Sequence, residues 1–432
     1  MVQRAIHAFA TLFMECAETS CLIPGDVDDA RYAHFGRSWT CGKLGRAGRR
    51  QIGATERRPD AFWRGVRIAS RMTQIRWGDA LSGRLEGEDN MRLWTLVRGP
   101  AAACLALFPV SVGHAENPAD FYKGKNVDLY IGYSAGGGYD LYARSLARHM
   151  GRLIAGNPAI VPKNMPGAGS LVLANWLYNV APKDGTAFGT IGRGTAFDPL
   201  LGSTKAQFDA SKFNWIGSMN DEVSVCVAWH TTGITRLEQV MQKELTVGGT
   251  GPAADTDQFP KVLNATIGTK FRIVTGYPGG NEIDLAMERG EVMGRCGWSW
   301  SSVIATHRSW IDEHKISVLV QLSLRKHPDL PNVPLVMDLA RNNEEKQVFK
   351  LVFARQPMGR PFLAPPGVPA DRVAALRNAF MGTMKGRKFL AEADRTKLEI
   401  NSVSGDAVQQ IVQEVYQTPK AVAMAVADMV NR

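Results

Sequence analysis

The chain has little of what catalytic and metal centres usually need. It holds 6 cysteines in 432 residues, and no two stand in a Cys-x-x-Cys spacing. That excludes a zinc ribbon and a thioredoxin-type redox pair. No Walker motif is present, which removes the usual signature for P-loop nucleotide binding. After residue 115 the histidines are His149, His230, His307, His314 and His327, and they show no metal-ligand spacing. No apolar run approaches the roughly 20 residues that a membrane-spanning helix needs. Basic residues neither cluster nor interleave with aromatics, so nucleic-acid binding is not expected. No motif calls for a cofactor or a metal.

What is present begins with an uneven charge. The net charge is +10. Residues 1–90 hold 13 Arg, 1 Lys and 11 acidic residues, whereas Arg and Lys are nearly equal, 18 to 17, after residue 115. Within residues 1–90 neither helical nor strand periodicity persists. At Met91 the pattern changes. Arg92 and Arg98 precede an apolar stretch from Ala101 to Phe108. Gly113 and Ala115 then place small residues three and one before a cut at Ala115/Glu116. This is the layout of a secretory signal peptide. The reading is a signal peptide at 91–115, translation starting at Met91, and residues 1–90 as a disordered upstream extension outside the mature fold. A real cytoplasmic extension is the alternative. Two cysteines, Cys226 and Cys296, remain in the exported part. An even pair in an exported chain suggests a disulfide, with two separate buried thiols as the alternative.

From residue 116 onward apolar strands alternate with helices, which predicts α/β layers with mainly parallel sheets. Strands are expected at 127–132, 159–163, 187–191, 246–248, 271–275, 292–298 and 317–321. Two more flank Asp221–Glu222. After residue 370 the pattern is helical: 371–385, 388–397 and one long helix over 406–426.

Gly132-Tyr133-Ser134-Ala135-Gly136 has the form of a hydrolase nucleophile elbow. Such an elbow needs an acid and then a late histidine. Here the last histidine is His327 and the serine follows the first strand. A dinucleotide fingerprint fails too, because Leu141 stands where its third glycine belongs. What recurs is a strand running into a glycine-rich loop that opens a helix, at 133–140, 165–170, 250–257 and 276–281. Loops of this kind present backbone N–H groups to anions.

Five stretches carry a family resemblance: "FYKGKNVDLYIGYSAGGGYDLYAR", "VPKNMPGAGSLVLANWLYNVAPKDG", "GYPGGNEIDLAMERGEVMGR", "RKHPDLPNVP" and "PPGVPADRVAALRNAF". From Pro118 to about Val426 the chain resembles the periplasmic substrate-binding receptors of tripartite tricarboxylate transporters, the Bug or TctC type. The resemblance implies a two-lobed periplasmic binding fold of type II character with two crossover hinge strands. It places one lobe at 116–225 and 318–432 and the other at 226–317. It further implies a monomer that captures a small carboxylate without chemistry and presents it to membrane permease subunits. Many members have a proline-rich first loop; Tyr133 and Ser134 stand in it here.

Residues and resemblance then assign the same roles. Tyr133, Ser134, Gly136, Gly137 and Gly138 form the first carboxylate-binding loop, with positive φ expected at Gly137. Gly167, Ala168, Gly169 and Ser170 form an opposing pincer. Asp140 is an N-cap or a ligand contact. Arg193 and Thr195 line the cleft, with Arg193 open to a second carboxylate. Thr250, Asp255, Tyr277, Gly279 and Asn281 are the candidates from the other lobe. Trp298 is either core or a stacking surface for the ligand body. The remaining alternatives are a serine hydrolase using Ser134 and a ligand receptor for a signalling system.

Overall fold

A computed structural model describes residues 118–431. The leader and the segment 1–90 lie outside the described residues. Among the described residues, eleven strands build two sheets. The first contains β1 (Asn126–Ile131), β2 (Ala159–Asn164), β3 (Ala187–Thr190), β4 (Asn214–Ser218), β10 (Pro361–Ala364) and β11 (Val403–Ser404), in the order β11-β4-β10-β3-β1-β2. The second contains β5 (Ser224–Trp229), β6 (Leu245–Gly249), β7 (Phe271–Thr275), β8 (Gly294–Ser299) and β9 (Ile316–Leu322), in the order β7-β6-β8-β5-β9. With helices packed on both sheets, this is the two-lobed α/β architecture.

Local sequence explains the strands. In β1 the side chains of Val127, Leu129 and Ile131 are buried while Asp128 and Tyr130 face the other, partly buried side, where Tyr130 packs on Trp176, the period-2 alternation of a strand. The helix Gly138–Met150 that follows buries Tyr142, Ala143, Leu146 and Met150 at helical spacing.

The sheets are mixed, not mainly parallel. β1 runs parallel to β2 and β3, and β6 parallel to β7 and β8. β10 is antiparallel to β3 and β4, and β5 is antiparallel to β8 and β9. The strands beside a lobe crossing account for this. β5 and β10 enter their sheets from the other lobe, not through a helix on the same face, so the βαβ rule does not align them with their neighbours.

The chain passes between the sheets at 219–223 and returns at 354–360, and these segments run side by side. Met219 N donates to Arg360 O at 3.1 Å, Gly359 N to Asn220 O at 2.9 Å and Glu222 N to Gln356 O at 2.9 Å. The expected long helix at 406–426 is two helices, Gly405–Tyr416 and Lys420–Asn431. Pro419 separates them, because proline has no N–H to continue the ladder. The second of them, expected with the first lobe, reaches the helix Asp255–Ile267, where Lys261 Nζ donates to Val430 O at 2.7 Å. Helices at Trp300–Asp312 and Asn343–Phe353 were not expected from the sequence. Among the described residues no helix is long and apolar enough to cross a membrane.

Candidate functional site

The two lobes close on each other through their glycine loops. Ser134 N donates to Pro278 O at 3.2 Å, and Ser134 Oγ donates to Asn281 Oδ1 at 3.1 Å and Glu282 Oε2 at 2.8 Å. Between these loops lies a cavity of about 70 Å³, room for a few waters or a compact solute. Tyr133, Gly136, Gly137, Gly138, Arg193, Thr250, Asp255, Asn281 and Trp298 all line it.

Two helix N-termini open on this cavity from opposite lobes. Gly138 and Tyr139 begin the helix Gly138–Met150, and Gly280 and Asn281 begin the helix Gly280–Glu288. The first amides of a helix have no intrahelical acceptor and carry its positive end. Gly136, at φ 90, takes the left-handed turn, while Gly137 is extended at φ −78 and ψ 170. The expected positive φ at Gly137 therefore belongs to its neighbour. Gly138 is required for close approach: a Cβ there would collide with Ser302 Oγ.

Buried charge surrounds the cavity. Arg193 is 2% exposed. Its Nε donates to Asp255 Oδ2 at 2.6 Å, Nη2 to Ser224 Oγ at 2.6 Å and Nη1 to Ser299 Oγ at 3.2 Å. Arg193 is thus engaged by the protein and not open to a second carboxylate as expected. Arg360 donates to Ser299, Ser301 and Ser302 and stands 3.3 Å from Glu222. It packs over the rings of Tyr139 and Tyr142. Arg295 pairs with Asp284 at 2.8 Å. Burial pushes the Asp284 carboxyl up to about 6 against the opposing pull of Arg295. Burial, then Arg295, holds the His307 imidazole down to about 4. Burial raises the Tyr133 hydroxyl above its ordinary value, and its ring stacks on Tyr139 with centroids 4.7 Å apart. Trp298 is 1% exposed and lies edge-on to His307.

Several expected residues serve the frame instead of the cavity. Asp140 is inside the first helical turn; Gly137 is the N-cap. Its carboxylate accepts from Gly136 N at 2.9 Å, Asn164 Nδ2 at 2.8 Å and Arg144 Nε at 2.8 Å. Burial pushes this carboxyl up, but those donors outweigh it and hold it below the usual range. The pincer Gly167, Ala168, Gly169 and Ser170 does not line the cavity. Ser170 Oγ donates to Gly132 O and accepts from Gly192 N at 3.0 Å, and Thr195 Oγ1 donates to Gly169 O at 2.9 Å. A Cβ on Gly169 would strike Ala254, and one on Gly251 would strike Ala168, so these loops meet at the lobe junction. Tyr277 and Gly279 sit in the loop that touches Ser134 and do not line the cavity. Cys226 and Cys296 face each other across β5 and β8 with Cα atoms 3.8 Å apart, and their Sγ atoms are joined.

Sequence reading missed Tyr139, Asp284, Arg295, Ser302, His307 and Arg360. Tyr139, Asp284 and Arg295 had a legible signal, since they stand inside the motifs at 121–144 and 276–295. Arg360 and Ser302 belong to segments that only the lobe crossings bring together. Among the described residues no cluster of three or more histidine, cysteine or carboxylate groups could hold a metal ion.

No family model matches the chain. It is 25% identical over 338 residues to the UPF0065 protein in gbd 5'region of Cupriavidus necator, spanning 75% of this chain and 94% of that protein. Among solved structures it is similar to the periplasmic binding protein BugD, at 19% identity and a TM-score of 0.59, over 71% of this chain and 98% of BugD. It is also similar to MatC from Rhodopseudomonas palustris, solved with bound malate, at 18% identity and a TM-score of 0.57, over 70% of this chain and 99% of MatC. A second R. palustris protein, solved with adipate, is 15% identical with a TM-score of 0.56, over 71% of this chain and 98% of its own.

Proposed function

The chain has the two-lobed fold of the Bug-type receptors and resembles them in sequence; from that premise we propose that it is a periplasmic solute-binding receptor for a small carboxylate. One observation carries the reading: two helix N-termini, one from each lobe, converge on one cavity between the lobes. Positive helix ends and free amides favour an anion there. The work is capture without chemistry. The lobes hinge about the paired segments 219–223 and 354–360 and close on the ligand, and the closed form is what membrane permease subunits of a tripartite tricarboxylate transporter recognise. The receptor acts as a monomer and is not an enzyme. Ser134 Oγ supports this, because its partners are Asn281 and Glu282 and not a histidine. The segment 91–115 exports it.

The test is thermal unfolding of the purified protein with a panel of mono-, di- and tricarboxylates. A binder at a hundredfold excess over its Kd adds about 2.7 kcal/mol of apparent stability. Failure of every carboxylate to shift the transition overturns the reading. Export is tested by the N-terminus of the native protein, expected at or near Glu116; retained peptides from 1–90 overturn it.

A further inference from the structure

Arg295 extends from β8 along the cavity wall. Its guanidinium carbon lies 4.6 Å from the centre of the Trp298 ring. Its Nη1 donates to Asp284 Oδ1 at 2.8 Å and to Gly280 O at 3.1 Å. These contacts fix the plane and direction of the guanidinium. Its Nε is buried, and no group of the protein accepts from it. Buried N–H groups nearly always have an acceptor, and one left unmade is costly. Arg360 shows the same feature on another part of the wall. Serine hydroxyls hold both of its terminal nitrogens, while its Nε is buried with no acceptor.

The amides at Gly138 and Gly280 are neutral donors and answer to one acidic group. A guanidinium anchored by an acid, a carbonyl and an aromatic face is a different device. It offers a charged donor held in a set geometry from the second lobe. Asp284 is buried beside it on the same wall and shares its charge, and burial already disfavours the ionised form of that acid.

Resting on the receptor reading above, we propose that Arg295 reads a second acidic group on the bound solute, and that Asp284 competes with the solute for the same guanidinium. Arg295 is then a specificity-determining residue, and Asp284 sets how strongly it acts.

The test uses two probe pairs of equal length, butyrate with succinate and hexanoate with adipate, measured by isothermal titration calorimetry at pH 7.5. Arg295→Met lowers dicarboxylate affinity by about tenfold or more, the scale of one charge-assisted hydrogen bond, and changes monocarboxylate affinity little. Arg295→Lys restores part of the loss. Asp284→Asn moves the dicarboxylate preference the other way, and a merely structural pair does not give opposite signs. Unfolding curves without ligand establish that each variant is folded. If Asp284→Asn and Arg295→Lys change both members of a pair by the same factor, the inference fails while the receptor reading stands. Wild type that binds each monocarboxylate as tightly as its partner also overturns it. If none of the four probes binds, the inference falls; if no carboxylate of the wider panel binds either, the receptor reading falls with it.

Discussion

Arg193 and Asp255 join the two lobes through a buried ion pair with Nε 2.6 Å from Oδ2. Arg193 follows β3 of the first sheet, and Asp255 begins the helix that follows β6 of the second. Arg355, from the returning crossover, stands 3.2 Å from the other oxygen of Asp255. One carboxylate is therefore shared by two buried guanidinium groups at the lobe junction.

Removing that carboxylate takes from two buried guanidinium groups their directly paired acid. Asp255→Ala is expected to destabilise the protein by about 3–5 kcal/mol, measured by urea unfolding. A loss below about 1 kcal/mol, typical of an exposed pair, would show that the junction opens to solvent in the unliganded protein.

Ser134 holds the first loop to Asn281 and Glu282 across the cleft. Ser134→Ala is expected to weaken ligand binding through closure, by roughly 0.5–1.5 kcal/mol and up to about 3 because one acceptor is charged. Gly138→Val is expected to do more, since its Cβ meets Ser302 Oγ. Titration calorimetry ranks the two. Serine-directed phosphonates are expected to leave the wild type unlabelled, and stoichiometric labelling of Ser134 would favour the hydrolase.

Cys226 and Cys296 are cross-strand partners, closer than the roughly 4.4–6.8 Å Cα spacing usual for disulfides. Thiol titration of the denatured, unreduced mature chain is expected to find no free thiol. Two thiols per chain would establish separate buried cysteines.

Asp198 is 4% exposed and accepts from Gln258 Nε2 at 2.9 Å. Burial pushes its carboxyl up to about 7 from an ordinary 3.8, against Gln258 and Arg355. A raised folded pKa means that its contribution to stability is fully present below pH 3.8 and is lost as pH rises through about 7. Asp198→Asn abolishes that titration and keeps the shape. Its melting temperature relative to wild type is expected to be higher at pH 8 than at pH 4. A constant difference across that range would count against the assignment.

Sequence alone determined the alternation of strands and helices, the four glycine loops, and the resemblance that orders them. Those signals are local: apolar period, glycine at a strand end, and an amphipathic stripe. The loop at 276–281 and the two strands flanking Asp221–Glu222 follow from neighbours in the chain, whereas the left-handed turn fell at Gly136 and not at the expected Gly137. The partners of each side chain were not legible. Arg193 reads as a free cation until tertiary structure sets Asp255, 62 residues away, against it. Asp140 reads as a cap until Arg144 and Asn164 close on it. Arg360 joins Arg295 and Asp284 at the cavity only when the returning crossover packs against the second lobe. Which charges are paired, and which N–H is left without an acceptor, depends on contacts between distant segments. Only the closed, packed lobes decide those, because burial makes an unpaired polar group costly.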